Sequence, residues 1–452
     1  MTMIDLTRPP RSDRRIDALP VVIIGAGPIG LAAAANLVER GIPFEIYEAG
    51  ESVADSMLRW GHIRLFSPWR HLVDPASRRL LEASGWRHPA ESSLPTGSEL
   101  AAQYLIPLAA LPQLAEHIHT RSEVLAVSRE GMDRTRTAGR ATTPFLVRVR
   151  AHDGGMTDAA ARAVIDASGT YRTPNSLASS GLDPLGLDEV AEFVTHALPD
   201  ILGQDRARFA GKRTTVVGAG HSAANSLLNL AALASEVPGT RITWAIRNSS
   251  AVRVSSSPDD ELAARAKLGG RVDALVKSGV IEILDRFEIV RLSRHGEAAR
   301  ILASRSGELV EYDTDVIVNA TGFRPNLDIL REIRLDLDDI VESPKRLAPL
   351  IDPNVHSCGT VAPHGFAELK QPEDGFFLAG MKSYGRAPTF LLATGYEQVR
   401  SIVAWLDGDA ASAGQVQLTL PATGVCSIPT GAPPQTPGLL AQPDIGSDGC
   451  CS

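Results

Sequence analysis

Pro20-Val21-Val22-Ile23-Ile24-Gly25-Ala26-Gly27-Pro28-Ile29-Gly30 begins with a short apolar run rich in β-branched residues and ends in a glycine-rich turn. Such a run reads as a strand buried on both faces of a parallel sheet. Leu31 to Arg40 is alanine-rich and helical, and Gly41 stops it. Phe44-Glu45-Ile46-Tyr47-Glu48 is the next strand, which completes a βαβ unit. A glycine-rich turn between strand and helix offers backbone N–H groups with no side chain in the way. The positive end of the helix dipole lies directly behind it.

That arrangement suits a pyrophosphate. Gly25, Gly27 and Gly30 fill the three glycine places, and Pro28 lies within the same cofactor-binding turn. Glu48 stands at the end of the second strand, about twenty positions on. A carboxylate there accepts hydrogen bonds from ribose hydroxyls and repels a 2′-phosphate, so this cradle suits FAD or NAD. Glycine turns also serve plain packing, and the spacing alone is a weak signal. Here strand, turn, helix, strand and acid all follow in order.

The pattern recurs in mid-chain. Thr214-Thr215-Val216-Val217 leads into Gly218-Ala219-Gly220-His221-Ser222-Ala223, then a helix over 224–233 and a strand at Ile242-Thr243-Trp244-Ala245-Ile246. Alanine is tolerated at the third place because that position only packs helix on strand. The backbone of His221 and Ser222 then faces phosphate. The second strand ends on Arg247, followed by Asn248, Ser249 and Ser250, with no acid. A guanidinium and small donors suit the 2′-phosphate of NADPH. The bland alternative is a surface arginine after a strand. The two βαβ units are the internal repeat of the chain.

The bulk numbers show a normal globular balance. The chain has 452 residues, 44% hydrophobic and 22% charged, which suits two or three globular domains. A net charge of −8 argues against general affinity for nucleic acid or anionic membrane. No apolar run reaches the ~18 residues of a membrane span. Arg8, Arg11, Arg14 and Arg15 precede no apolar segment, so residues 1–18 read as a disordered lead of a cytoplasmic protein rather than a secretory signal. Between Trp60 and Pro112 lie loops and short helices rich in Pro, Ser and His. His62, Arg64, Trp69 and Arg70 of this cover are candidates to touch a ligand.

Further residues carry a resemblance. Asp166-Ala167-Ser168-Gly169-Thr170 with Pro174-Asn175 resembles the crossing from an FAD domain into an NADP domain. Asn319-Ala320-Thr321-Gly322-Phe323-Arg324-Pro325-Asn326 is similar to the return strand of flavin-containing and N-hydroxylating monooxygenases. The chain thus resembles the two-dinucleotide-binding flavoproteins over about residues 19–408. More narrowly, Gly359 to Gly365 and Met381 to Phe390 resemble flavin-binding monooxygenases of actinobacterial arsenic-resistance clusters. The resemblance implies an α/β fold of two Rossmann-like three-layer domains. An FAD domain (19–175 and 315–408) would hold an inserted NADPH domain (176–314), and residues 409–452 would form a flexible tail. It further implies cofactor contacts at Thr321, Gly322, Gly380 and Met381, and a pocket approached by His364, Tyr384 and Arg386. The sequence leaves open whether the protein is a homodimer.

Departures from the family pattern bear on the chemistry. Only His196 and Asp200 survive of the monooxygenase fingerprint, whose Phe and Gly places hold Val190 and Glu192. The Gly-Asp pair that usually binds ribityl hydroxyls reads Gly380-Met381. The family implies a monooxygenase that reduces FAD with NADPH and passes oxygen from a flavin hydroperoxide to a small soft nucleophile, an N, S or As(III) centre. A flavin reductase of thiol, disulfide or metal(loid) substrates is the alternative, and a flavin-holding redox sensor or metalloid binder the second. The cysteines are Cys358, Cys426, Cys450 and Cys451, and none forms C-x₂-C or C-x₄-C, which argues against an ordinary disulfide reductase. Cys358 reads as a packing residue. Cys426, Cys450 and Cys451 could together hold a soft metal ion, or be incidental thiols.

Overall fold

The structure is a computed structural model that describes residues 14–249, 263–352, 361, 363–388 and 390–418. Two five-stranded sheets organise it, and every strand pair within them is parallel. In the first, Val21–Ile24 is central. Phe44–Tyr47 and Ile118–His119 lie to one side, Ala163–Asp166 and Phe376–Leu378 to the other. In the second, Arg213–Val217 is central. Arg241–Ala245 and Ile281–Leu284 lie to one side, Val316–Asn319 and Val194–Thr195 to the other. Four strands follow the same order in both halves, while the outermost strand beside the return strand comes last in the chain in the first sheet and first in the second. The fold is α/β with two Rossmann-like units, as the two βαβ patterns predict.

The repeat runs deeper than those patterns reveal. Between its third strand and its return strand, each half inserts a three-stranded antiparallel meander. The first is Ser122–Arg129, Phe145–Ala151 and Met156–Ala161; the second is Phe287–His295, Ala298–Arg305 and Glu308–Thr314. Alternation along the central strands shows what the meanders do. Val21 and Ile23 pack with helix Pro28–Glu39, whereas Val22 and Ile24 pack with Val127, Val147 and Phe145 of the first meander. Val216 and Val318 face helix His221–Glu236, whereas Val217 and Ile317 face Ile289, Leu292 and Ile301 of the second. A fully buried valine or isoleucine contributes about 1.5–3 kcal/mol. One face of each parallel sheet is therefore covered by helices and the other by an antiparallel sheet.

Two expectations need correction. One turn of helix already forms at Arg14–Asp17, ahead of the expected start of order, and Leu19 N–H donates to Ile16 O at 2.9 Å. At the other end, residues 409–418 are part of the body rather than of a tail. Asp409 caps helix Ala410–Gly414 through Ser412 N–H, 3.0 Å. Arg40 grips Asp407 and Asp409 at 2.7 and 3.3 Å, and Ser401 Oγ donates to Ala413 O at 2.6 Å. A composition of small residues hid this, because the hold is exerted by distant polar groups, Arg40 after helix Pro28–Glu39 and Arg400 and Ser401 on helix Leu392–Leu406. Among the described residues no helix is long and apolar enough to cross a membrane.

Two buried polar clusters brace the first half, and each predicts a measurable effect. Glu373 lies between Arg129 (Nε, 2.8 Å) and Arg140 (Nε, 2.8 Å), all three nearly inaccessible. The remaining guanidinium N–H groups reach Thr143 O, Asp374 O, Asp133 O and Glu332 O. Removing the acid strands two buried cations, so Glu373→Ala should lose about 3–5 kcal/mol in chemical denaturation. Asp158→Ala, which breaks the exposed pair with Arg148, should lose less than about 1 kcal/mol. Equal losses would refute this ranking.

Asp74 caps helix Pro75–Ala83 by accepting from Ser77 N–H and Oγ–H, and donates its own amide to Tyr104 Oη. Burial pushes its carboxyl up to about 6, despite the Ser77 hydrogen bonds. The native state therefore binds more proton than the unfolded chain between the ordinary carboxylate value and about 6. This group's contribution is full at low pH and is lost as pH rises through that window. Asp74→Asn keeps the acceptor and removes the charge, so it should flatten the stability profile between roughly pH 4 and 6. An unchanged profile would sink the assignment.

Candidate functional site

Both glycine turns lie at the carboxyl ends of the central strands, and their three small residues do three different jobs. Gly25 has φ +97°, and a Cβ there would lie 2.9 Å from Ser168 Cα and 3.0 Å from Ala167 O. Gly218 has φ +129°, and a Cβ would lie 2.2 Å from Ala320 O. The first glycine of each cradle is thus pressed against the chain leaving the neighbouring strand. Gly30 is a helix–strand contact, since its Cβ would meet Gly25 O at 1.9 Å. Ala223, in the matching place, is fully buried. Gly27 and Gly220 differ: a Cβ on either would meet nothing within 4 Å. Their bareness serves no packing purpose within the chain and leaves room for something to approach the backbone. Helices Pro28–Glu39 and His221–Glu236 start there with no side chain capping their first amides. Open, uncapped N–H groups at a helix start fit a pyrophosphate.

Glu48 stands over the first turn. Its Oε2 accepts Ala26 N–H at 2.8 Å and its Oε1 accepts Gly50 N–H at 2.6 Å, so the carboxylate is aimed at the cradle. The second cradle is braced by Trp244, whose buried Nε1–H donates to Gly218 O at 2.7 Å. His221 opens its helix with its ring 5.6 Å from that of Phe66, in the cover segment, and Ser222 is partly exposed beside it. Arg247 is exposed and makes no ion pair among the described residues, as do neither Asn248 nor Ser249; Ser250 lies outside them.

Beside the first cradle, Gly380 (φ +67°) packs on Ile29 and gives its N–H to Gln398 Oε1 at 2.8 Å. Met381 follows, partly buried. The next residue is one the sequence reading missed. Lys382 is fully buried, with Nζ 2.5 Å from Asp166 Oδ2 and 3.1 Å from Ser168 Oγ. Asp166 Oδ1 also holds Ser168 Oγ, at 2.7 Å. A fully buried ion pair, joined by the exposed Ser168, therefore ties the turn after Leu378 to the segment on which Gly25 rests. Lysine is exposed by default, and only its place two residues past a strand-to-glycine step hinted at this role.

Thr321 and Gly322 join the two halves. Asn175 N–H donates to Gly322 O at 2.9 Å, while Thr321 Oγ and Asn319 Nδ2 donate to Asn175 O at 3.1 and 3.0 Å. Pro174 and Phe323 bridge alongside. His196 packs into this crossing, its ring 4.3 Å from Tyr171 and 5.4 Å from Phe323, with Nε2 3.0 Å from Tyr171 O. Burial lowers its pKa. Asp200 accepts Gln204 N–H in a local turn.

The three pocket candidates do not converge. His364 and Tyr384 do meet: both are buried with ring centroids 5.7 Å apart, and His364 Nε2 is 2.8 Å from Gln398 Nε2. Burial raises the Tyr384 phenol well above its ordinary range, so it stays protonated. Arg386 instead is exposed and forked on Glu342 at 2.8 and 3.1 Å. In the cover segment Trp69 is core, Arg64 donates to Leu94 O, Arg70 donates to His71, and His62 is partly buried. Cys358, Cys426, Cys450 and Cys451 lie outside the described residues. Among the described residues no group of three or more metal-ligating side chains comes together.

Comparison with known proteins agrees with this layout. The family model described as "Pyridine nucleotide-disulphide oxidoreductase" matches residues 22–358. Indole-3-pyruvate monooxygenase YUCCA1 of Oryza sativa subsp. japonica is 29% identical over 227 residues, 49% of this chain and 47% of that protein. The chain thus spans about half the length of the curated relative it matches. Bacillithiol disulfide reductase of Bacillus cereus superposes with a TM-score of 0.64 at 19% identity, covering 86% of this chain and 99% of that one. An ornithine N-hydroxylase of Kutzneria sp. 744 gives 0.57 at 18% identity, covering 86% and 99%. At these identities the two structures show the fold.

The different jobs of the glycines make a paired test. Gly27→Ala should fold normally, since its methyl meets only open space, yet purify with little of the flavin expected in the first cradle. Gly30→Ala should fail to fold or melt far lower, because its methyl falls on Gly25 O. Flavin absorbance per protein, with circular dichroism, reads both. A fully yellow Gly27→Ala protein would sink the first cradle as the flavin site.

Proposed function

Because the chain belongs to the pyridine nucleotide-disulphide oxidoreductase family, we propose that it is an FAD- and NADPH-dependent monooxygenase acting on a small soft nucleophile. The observation that carries this reading is the presence in one chain of two bare-glycine cradles with opposite ribose chemistry, Glu48 on the first and Arg247 after the second. In this reading residues 19–175 and 315–408 serve FAD, and 176–314 serve NADPH. When bound, FAD takes a hydride from NADPH and activates oxygen.

The protein's part is to hold and to exclude. Gly25, Gly27 and Gly30, with the amides of the helix they start, take the FAD pyrophosphate. Glu48 takes the ribose hydroxyls. Gly218, Gly220 and the amides of His221, Ser222 and Ala223 take that of NADPH. Thr321 and Gly322 stand where the halves meet, and Gly380 with Met381 close the flavin side. No acid follows Gly380, so ribityl hydroxyls look to backbone or to another side chain. His364 and Tyr384 supply a buried wall, and Tyr384 can donate a hydrogen bond but not accept a proton. Flavin oxygen chemistry requires a dry site and no protein thiol. The chain has no C-x₂-C or C-x₄-C pair, which favours oxygen over a disulfide as electron acceptor. The relation to a rice monooxygenase supports the same choice. The substrate centre would be N, S or As(III). The last is suggested by the arsenic-cluster resemblance, and the reading does not depend on Cys426, Cys450 or Cys451.

Two measurements test the proposal. NADPH oxidation should require O₂ and consume it in step, across a panel of amines, thiols, sulfides and arsenite. Anaerobic turnover with a disulfide or metal ion would overturn it in favour of a reductase. Arg247→Ala should raise KM for NADPH by roughly ten- to a hundred-fold, the worth of a charge-assisted pair, and leave NADH unchanged. Equal effects on both coenzymes would mean that Arg247 does not meet the 2′-phosphate.

A further inference from the structure

We infer that Arg286 is a second specificity-determining cation for the adenosine 2′-phosphate, acting beside Arg247. The inference rests on the coenzyme reading above and deepens it. Strand Ile281–Leu284 runs parallel to Arg241–Ala245, with Ala245 opposite Leu284. Their contact continues past the strand ends. Ile246 N–H donates to Leu284 O at 2.9 Å, Phe287 N–H to Ile246 O at 3.0 Å, and Arg286 N–H to Asn248 O at 3.2 Å. Arg247 is thus flanked by two residues that are each bonded to the segment carrying Arg286. Both arginines sit beyond the carboxyl end of the sheet, on the side of the second cradle where the adenosine ribose of a dinucleotide lies.

Two features set Arg286 apart from an ordinary surface arginine. Its left-handed backbone, φ +50°, is not one of them, since Arg121 (φ +52°) takes the same conformation at the matching turn before the first meander. The side chain is 60% exposed, and its nearest acid, Asp285, is 3.8 Å away. That acid is already engaged by Arg305 at 3.1 Å. Among the described residues the guanidiniums of Arg286 and Arg305 therefore share one carboxylate, and Arg247, which makes no ion pair there, adds to the excess of positive charge. A ribose bearing only hydroxyls gains nothing from that excess. A dianionic 2′-phosphate, offering three oxygens, can bond two guanidiniums at once.

The test is calorimetric titration of the flavin-loaded protein with 2′,5′-ADP and with 5′-AMP, for wild type, Arg247→Ala, Arg286→Gly and Arg286→Lys. Wild type should prefer 2′,5′-ADP. Arg286→Gly should weaken 2′,5′-ADP about ten-fold and leave 5′-AMP unchanged. Its melting temperature should not fall, because glycine relieves the left-handed strain. Arg286→Lys, which keeps the charge, should restore most of the affinity. If Arg286→Gly weakens both nucleotides equally or neither, while Arg247→Ala still loses the preference, the role of Arg286 is refuted and the coenzyme reading stands. If wild type does not distinguish the two nucleotides, the coenzyme reading falls and this inference with it.

Discussion

The structure depends on how closely one backbone can approach another at the first glycine of each cradle. Gly25 rests on Ala167 and Ser168, and Gly218 on Ala320. In both places the chain leaving the return strand crosses directly over the turn. Any side chain at either glycine would wedge the two strands apart at the end where the cradles open. The positive φ at both positions removes even the option of a smaller substitute. Because this contact is fixed, the helix that follows can start at once, and its bare amides end up at a defined place.

The same constraint appears twice because the whole layout appears twice. Each half threads strand, helix, strand, strand, meander and return strand, and each puts the return strand beside the central one. What differs is the residue that ends the second strand. Glu48 is bound back to its own turn, whereas Arg247 is left exposed. In the reading proposed above, one scaffold carries two ligand preferences through a charge just past the second strand, Glu48 standing level with Ile246 and Arg247 one residue further on.

How much of this was legible in the sequence follows from what each residue does. The two strand–turn–helix units were readable because glycine spacing after an apolar run is a local signal of backbone geometry. The meanders were not, because their pairings are antiparallel hairpins whose partners are set by the sheet beneath, and short strands such as Met156–Ala161 lack a clean apolar alternation. Lys382 could not be placed, since its burial depends on Asp166, more than two hundred positions earlier. Arg386 resembled a pocket residue by position and went to Glu342 instead. Residues 409–418 read as tail because Asp409, Arg40 and Arg400 act together across distant parts of the chain. Single-position chemistry could be read, and long-range partnership could not.

The crossing at Asn175 and Gly322 has a consequence for modularity. The chain leaves the first sheet at Pro174 and returns at Phe323, and these two residues bridge each other. Every strand of the second sheet lies between them, and every strand of the first lies outside. A segment whose entry and exit touch can be excised, exchanged or inserted with almost no closure entropy, because the host chain's ends are already side by side. The second half is therefore built as a cassette. A lineage could exchange that cassette whole, without disturbing a single strand pairing of the sheet that hosts it.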